Sequence, residues 1–163
     1  MGIFQKLFGS AEEDKWALYM RLGFILAASD GNATQDEGDF SGKFIIDKGK
    51  LTQSQYDRVR EKFLKMDNPF EKILELSNDE KQELLKFLLT LAMTDNEFHE
   101  KEFLFIINCT LTMGMNPQVI TDYIIGLNIT DVEKCKKAYD EVVRRASEDG
   151  VQMPALSFDA KKH

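Results

Sequence analysis

The stretch Leu22-Gly23-Phe24-Ile25-Leu26-Ala27-Ala28-Ser29-Asp30-Gly31 is apolar on nearly all faces and then stops at an acid and a glycine. Sixty-five residues later the chain does the same thing again, as Phe87-Leu88-Leu89-Thr90-Leu91-Ala92-Met93-Thr94-Asp95-Asn96. Sliding the sequence by that offset sets Leu22 on Phe87, Leu26 on Leu91, Ala27 on Ala92 and Asp30 on Asp95. It also sets Glu37 on Glu102 and Phe40 on Phe105. Each copy reads as an apolar helix, a tight turn opened by Asp, and a second helix with Glu near its start. Self-similarity at a fixed period is the mark of a duplicated supersecondary unit.

Helical periodicity extends outward from these two hairpins. Lys15 to Ser29 and Thr34 to Ile46 form the first pair, and Leu51-Thr52 opens a third helix. A short helix begins at Asn68-Pro69 and runs through Leu76. Ser77-Asn-Asp-Glu80 is a capping box for a helix ending near Thr94, and Thr130-Asp-Val-Glu133 reads as another. His99 to Met113 and Pro117 to Leu127 are separated by Gly-Met-Asn-Pro, a helix stop followed by a helix start. No segment alternates with period two. The expectation is an all-α, single-domain bundle of seven to eight helices made of two similar helix-hairpin halves. Its predicted boundaries are 12–149, preceded by a flexible apolar segment at 1–11 and an acidic break at Glu12–Asp14. A frayed tail is expected at 150–163.

Composition narrows the function. The chain has 163 residues, 43% of them apolar and 30% charged, which supports one globular core without disulfides or metal. Asp and Glu outnumber Lys and Arg 28 to 21, so a phosphate-tracking surface is not expected and nucleic acid is set aside as a partner. Cys109 and Cys135 are far apart and form no CxxC pair, the usage of a reducing, cytoplasmic compartment. With His99 and His163 alone, no multi-histidine metal site exists. Met1 to Gly9 lacks the apolar core of a secretory signal, and Lys6 breaks the myristoylation pattern. Phe103 to Thr121 carries no charge, but its Asn, Gly, Pro and Gln residues mark two buried helices rather than a membrane span.

The two turns hold the candidate site. Asp30 and Glu37 face each other across the first, and Asp95, His99 and Glu102 belong to the second. Hard divalent cations take carboxylate and carbonyl oxygens, and the added imidazole suits Zn²⁺ or Mn²⁺. The first turn is not an EF-hand, since its glycine stands at loop position two and Ser41 replaces the terminal Glu. The plainer reading is capping: Asp before a helix and Glu in its first turn satisfy orphan N–H groups and the helix dipole. No nucleophile elbow, phosphate loop or HExxH motif is present, so no catalytic residue is assigned. Cys109 reads as inert core. Cys135, among Lys134, Lys136 and Lys137, reads either as a stripe position or as a thiol of lowered pKa. Lys43 to Lys65 forms a basic stretch, and Phe4, Leu7 and Phe8 line one side of a helical turn, a surface for peripheral membrane or protein contact.

Leu26-Ala-Ala-Ser-Asp30-Gly31 with Glu37, repeated as Leu91-Ala-Met-Thr-Asp95 with Glu102, resembles the TerB-like tellurite-resistance domain across roughly Lys15 to Ala146. The resemblance implies an all-helical bundle of two similar halves, no enzymatic activity, and a role in bacterial tellurite and stress resistance. It also implies acidic clusters that chelate a divalent metal; the alternative it implies is an interaction module of the kind attached to membrane-anchored co-chaperones. This chain departs from the pattern at Asn96, where the family has glycine, and in adding His99.

Overall fold

A computed structural model describes residues 3–29, 35–94, 98–127 and 130–159, the side chains of 3–11 and 35–41 excepted. Among the described residues the chain is all-α. Its helices are α1 (Ile3–Ala28), α2 (Gln35–Gly49), α3 (Gln53–Leu64), α4 (Pro69–Ile73), α5 (Asn78–Ala92), α6 (Glu100–Thr112), α7 (Gln118–Ile125) and α8 (Val132–Glu148). The described residues contain no strand, only an isolated parallel bridge between Phe98 and Thr130.

The repeat is visible in where helices begin. Helix α2 starts at Gln35 and α6 at Glu100, and α3 starts at Gln53 and α7 at Gln118; both pairs keep the 65-residue offset. The packing exchanges in the same way. Helix α1 packs on α2 as α5 packs on α6, α1 reaches α6 as α5 reaches α2, and α1 crosses α5 between them. The aligned apolar pairs Leu22 and Phe87, Leu26 and Leu91, and Ala27 and Ala92 are all buried.

Helix α1 is the axis of the bundle and touches α2, α3, α4, α5 and α6. Trp16, Ala17, Leu18, Tyr19, Leu22, Leu26 and Ala27 are buried along it, as an all-round apolar helix requires. It begins at Ile3, not at Lys15, and passes through Glu12–Asp14 without a break. The acids that read as a break are tertiary contacts instead. Buried Glu13 accepts a hydrogen bond from Arg58 Nε at 2.8 Å, and Lys62 Nζ lies 2.8 Å from Asp14 and 3.6 Å from Glu13. A buried carboxylate survives desolvation only when paired, and α3 brings both cations to it. On the other side, Tyr19 donates to the Glu80 carbonyl at 2.8 Å and to Glu83 Oε1 at 3.0 Å, tying α1 to the start of α5.

Local signals held unevenly. The Ser77–Glu80 capping box forms, with Ser77 N–H donating to Glu80 Oε1 at 2.9 Å and Glu80 N–H to Ser77 Oγ at 3.2 Å. Helix α3 has a capping box of its own between Thr52 and Gln55. The box expected at Thr130 does not form. Asp131 caps α8 by accepting from Lys134 N–H at 3.2 Å, while Thr130 is drawn into the bridge with Phe98. Carboxylate and hydroxyl are comparable N-caps, so tertiary pairing decided between neighbours.

The expected frayed tail is also corrected for 151–159. Gly150, with φ of +77°, ends α8 in the left-handed conformation that favours glycine, and Val151 N–H closes back on Ala146 O at 2.8 Å. The chain then lies over the bundle without regular structure, with Met153, Leu156 and Phe158 packed against the core.

Candidate functional site

Three of the five sequence-predicted ligands fall wholly or partly outside what is described. Asp30 and Asp95 lie outside the described residues; Glu37 is placed by its backbone in the first turn of α2, without its side chain. His99 and Glu102 are described completely, and they meet at the start of α6.

They meet as a reciprocal cap. His99 is the N-cap residue in extended conformation; its Nδ1 accepts from Lys101 N–H at 3.3 Å, and its own N–H donates to Glu102 Oε1 at 3.0 Å. The first-turn role of Glu102 agrees with the capping reading, whereas His99 as its partner was not legible, because histidine is not among the residues that usually open a capping box. Glu102 is 2% exposed, and its carboxylate sits at the positive end of the helix dipole beside Glu100. The accepting role of Nδ1 puts the neutral ring's proton on Nε2. The 3.5 Å approach of Nδ1 to Glu100 Oε2 is an attraction only for the protonated ring, which cannot also accept from Lys101. We assign the cap, since its partner is fixed by the helix backbone.

This geometry bears on the metal implied by the resemblance. Coordination through Nδ1 would break the cap, and coordination through Nε2 would move the ring proton to the capping nitrogen. Glu102 has Oε1 committed to the His99 N–H. Among the described residues no group of three or more His, Cys, Asp or Glu is placed to hold a metal ion. The described part of the second turn therefore fits capping better than coordination, and the histidine fits a metal least.

The cysteines are settled by burial. Cys109 and Cys135 are both 0% exposed. Burial pushes the Cys109 thiol up to about 12. Burial, with the charges of Glu100 and Asp131, does the same to Cys135, also to about 12. The stripe reading of Cys135 holds, and the alternative of a lowered pKa is corrected: the neighbouring lysines are exposed, and the nearer charges are acidic. Only thiolate is nucleophilic, so iodoacetamide at neutral pH should label neither cysteine in the native chain and both once urea unfolds it. Rapid native labelling at Cys135 would restore the reactive reading.

The basic stretch is partly consumed by the fold. Arg58 and Lys62 face Glu13 and Asp14, while Lys43, Lys48, Lys50, Arg60 and Lys65 remain exposed. The side chains of Phe4, Leu7 and Phe8 lie outside the described ones, and no described helix is long and apolar enough to cross a membrane. No protein-family model, curated protein or solved structure matches the chain.

Sequence reasoning passed over a second constellation, where 151–159 crosses α6, α7 and α8. Tyr139 Oη donates to the Pro154 carbonyl. Gln118 reads both main-chain groups of one residue: Nε2 donates to Ser157 O at 2.8 Å, and Oε1 accepts from Ser157 N–H at 2.9 Å. Phe158 stands edge-on to Phe103 at 5.9 Å and tilted to Tyr139 at 6.3 Å. The available signal was the apolar spacing of Met153, Leu156 and Phe158 after Gly150.

Proposed function

We propose that this chain is a non-enzymatic, TerB-like interaction module of the bacterial stress response, acting in the cytoplasm through protein partners. The observation carrying this reading is the reciprocal His99–Glu102 cap, which uses for local structure the same groups a second-turn site would need. The buried, protonated cysteines support the non-enzymatic part, since neither offers a nucleophile. The apolar N-terminal Phe4, Leu7 and Phe8 are the candidate peripheral membrane contact within this reading.

A second reading is favoured by one specific observation. Helices α2 and α6 start 65 residues apart, and each carries Glu at its third position, Glu37 and Glu102. Duplicated acidic corners, completed by Asp30 and Asp95, would hold a divalent cation, which relieves repulsion between carboxylates.

Thermal melting separates the two. A cation at a hundredfold excess over its Kd stabilises by about 2.7 kcal/mol, several degrees in a chain of this size at roughly 2–4 °C per kcal/mol. The interaction reading expects no such shift with millimolar Ca²⁺, Mg²⁺, Mn²⁺ or Zn²⁺. It also expects Glu102→Gln to melt close to wild type in every buffer, because Gln serves equally well in a capping box. A metal-dependent gain that Glu102→Gln abolishes would establish the cation site instead.

A further inference from the structure

We infer that the face formed by α6, α7 and α8 is a peptide-binding groove, occupied in cis by the chain's own segment 151–159 acting as an autoinhibitory strap. The inference rests on the reading of the chain as an interaction module and names the surface through which it works. The occupant it commits to is an extended protein segment with the strap's apolar spacing, in which apolar residues fall where Met153, Leu156 and Phe158 stand.

The seated strap itself identifies that occupant. It has no regular secondary structure, and its polar fastenings run from groove side chains to strap main chain: Gln118 to both polar groups of Ser157, Tyr139 to the carbonyl of Pro154. Such bonds do not depend on which side chain the bound residue carries, so they hold any extended segment of suitable register. Main-chain bonds for affinity with spaced pockets for specificity is a recurring way of binding extended peptides. The pocket for Phe158 is aromatic, made by Phe103 of α6 and Tyr139 of α8. Gln118 is held for its task by a further bond from Nε2 to Asp122 Oδ1 at 2.9 Å. Pro154 has no N–H to satisfy, which suits a residue whose carbonyl alone is read.

The strap is also poised to leave. Val151, Gln152, Pro154, Ala155 and Ser157 are exposed, and a cleft of about 710 Å³ lies between the strap and Tyr139, Asp140, Val143 and Ser147 of α8. A segment with few buried contacts and no ladder of backbone hydrogen bonds belongs to the low-stability end of a fold, the end from which moving elements are drawn. A partner segment with the same spacing would compete for the groove, and the strap would set the threshold.

The test uses the full chain and a fluorescent peptide of the sequence of residues 151–159, followed by anisotropy. Wild type should bind it weakly, because the strap competes. Phe158→Ala loosens the strap while leaving the groove intact, and should bind at least tenfold more tightly. Adding Gln118→Ala to that variant should remove most of the gain. The proposal is overturned if Phe158→Ala, native by circular dichroism, binds no better than wild type. It is equally overturned if the double variant binds as well as the single one. Hydrogen exchange on the wild-type chain is independent of any variant's folding: amides of 151–159 should exchange well before those of α8. Exchange of both only through global unfolding would make the strap ordinary core. If no peptide binds and no metal shifts the melt, the groove fails while the interaction reading stands.

Discussion

Replacing Trp16 by alanine should destabilise the chain by about 3–5 kcal/mol, the usual cost of deleting a large buried aromatic, and lower Tm by roughly 10 °C or more. Trp16 is 2% exposed on the axial helix, edge-on to Tyr19 at 5.2 Å and to Phe44 at 6.4 Å, so the cavity would open between α1 and α2. The informative partner is Trp16→Phe. The indole Nε1 is buried without a hydrogen-bond partner, and a buried unsatisfied donor costs about 1–3 kcal/mol. Phenylalanine removes that penalty while keeping most of the packing, so it should lose less than half of what alanine loses. Equal losses in urea melts would show that the indole N–H is satisfied and that the ring's polar edge is needed.

Gly23→Leu should cost about 3 kcal/mol, the upper part of the range for overpacking, whereas Gly23→Ala should be close to neutral. A Cβ at Gly23 would meet Leu91 Cδ2 and Phe87 Cε1 and Cζ, each at 3.1 Å. Those atoms are side-chain ends that can yield by a few tenths of an ångström, and alanine recovers about 1 kcal/mol of helix propensity. Leucine adds a whole isobutyl group against Phe87 and Leu91, which are 0% and 1% exposed and would have to shift by far more than a few tenths of an ångström. The check is a shift in urea midpoint at constant slope. A tolerated leucine would mean that α1 and α5 cross less closely than Gly23 permits.

The fold was legible because its signals are local and repeated. Apolar runs of period 3.6 end at Asp30 and Asp95, and the offset they share locates the starts of α2 and α6, then of α3 and α7. What sequence missed depends on distant partners. Glu12–Asp14 reads as a break until Arg58 and Lys62 arrive from α3. Thr130 reads as a cap until Phe98 claims its backbone. Residues 151–159 read as fraying until Gln118 and Tyr139, distant in sequence, close on them. Of the candidate site, the first-turn use of Glu102 was legible as capping but the use of His99 was not, because a histidine N-cap is seen only in its geometry.

The central position of α1 has a consequence for synthesis on the ribosome. Its residues are made before those of α5, yet its face at Gly23 packs against Phe87 and Leu91 of α5, which ends at Ala92. At about 5–20 residues per second, translation from Ala28 to Ala92 takes roughly 3–13 s. For that interval a largely apolar helix has emerged ahead of one of its principal partners, and it presents a binding site for holding chaperones. Mutations that slow or weaken α5 should therefore raise aggregation during expression more than their effect on the finished protein's melting temperature would indicate.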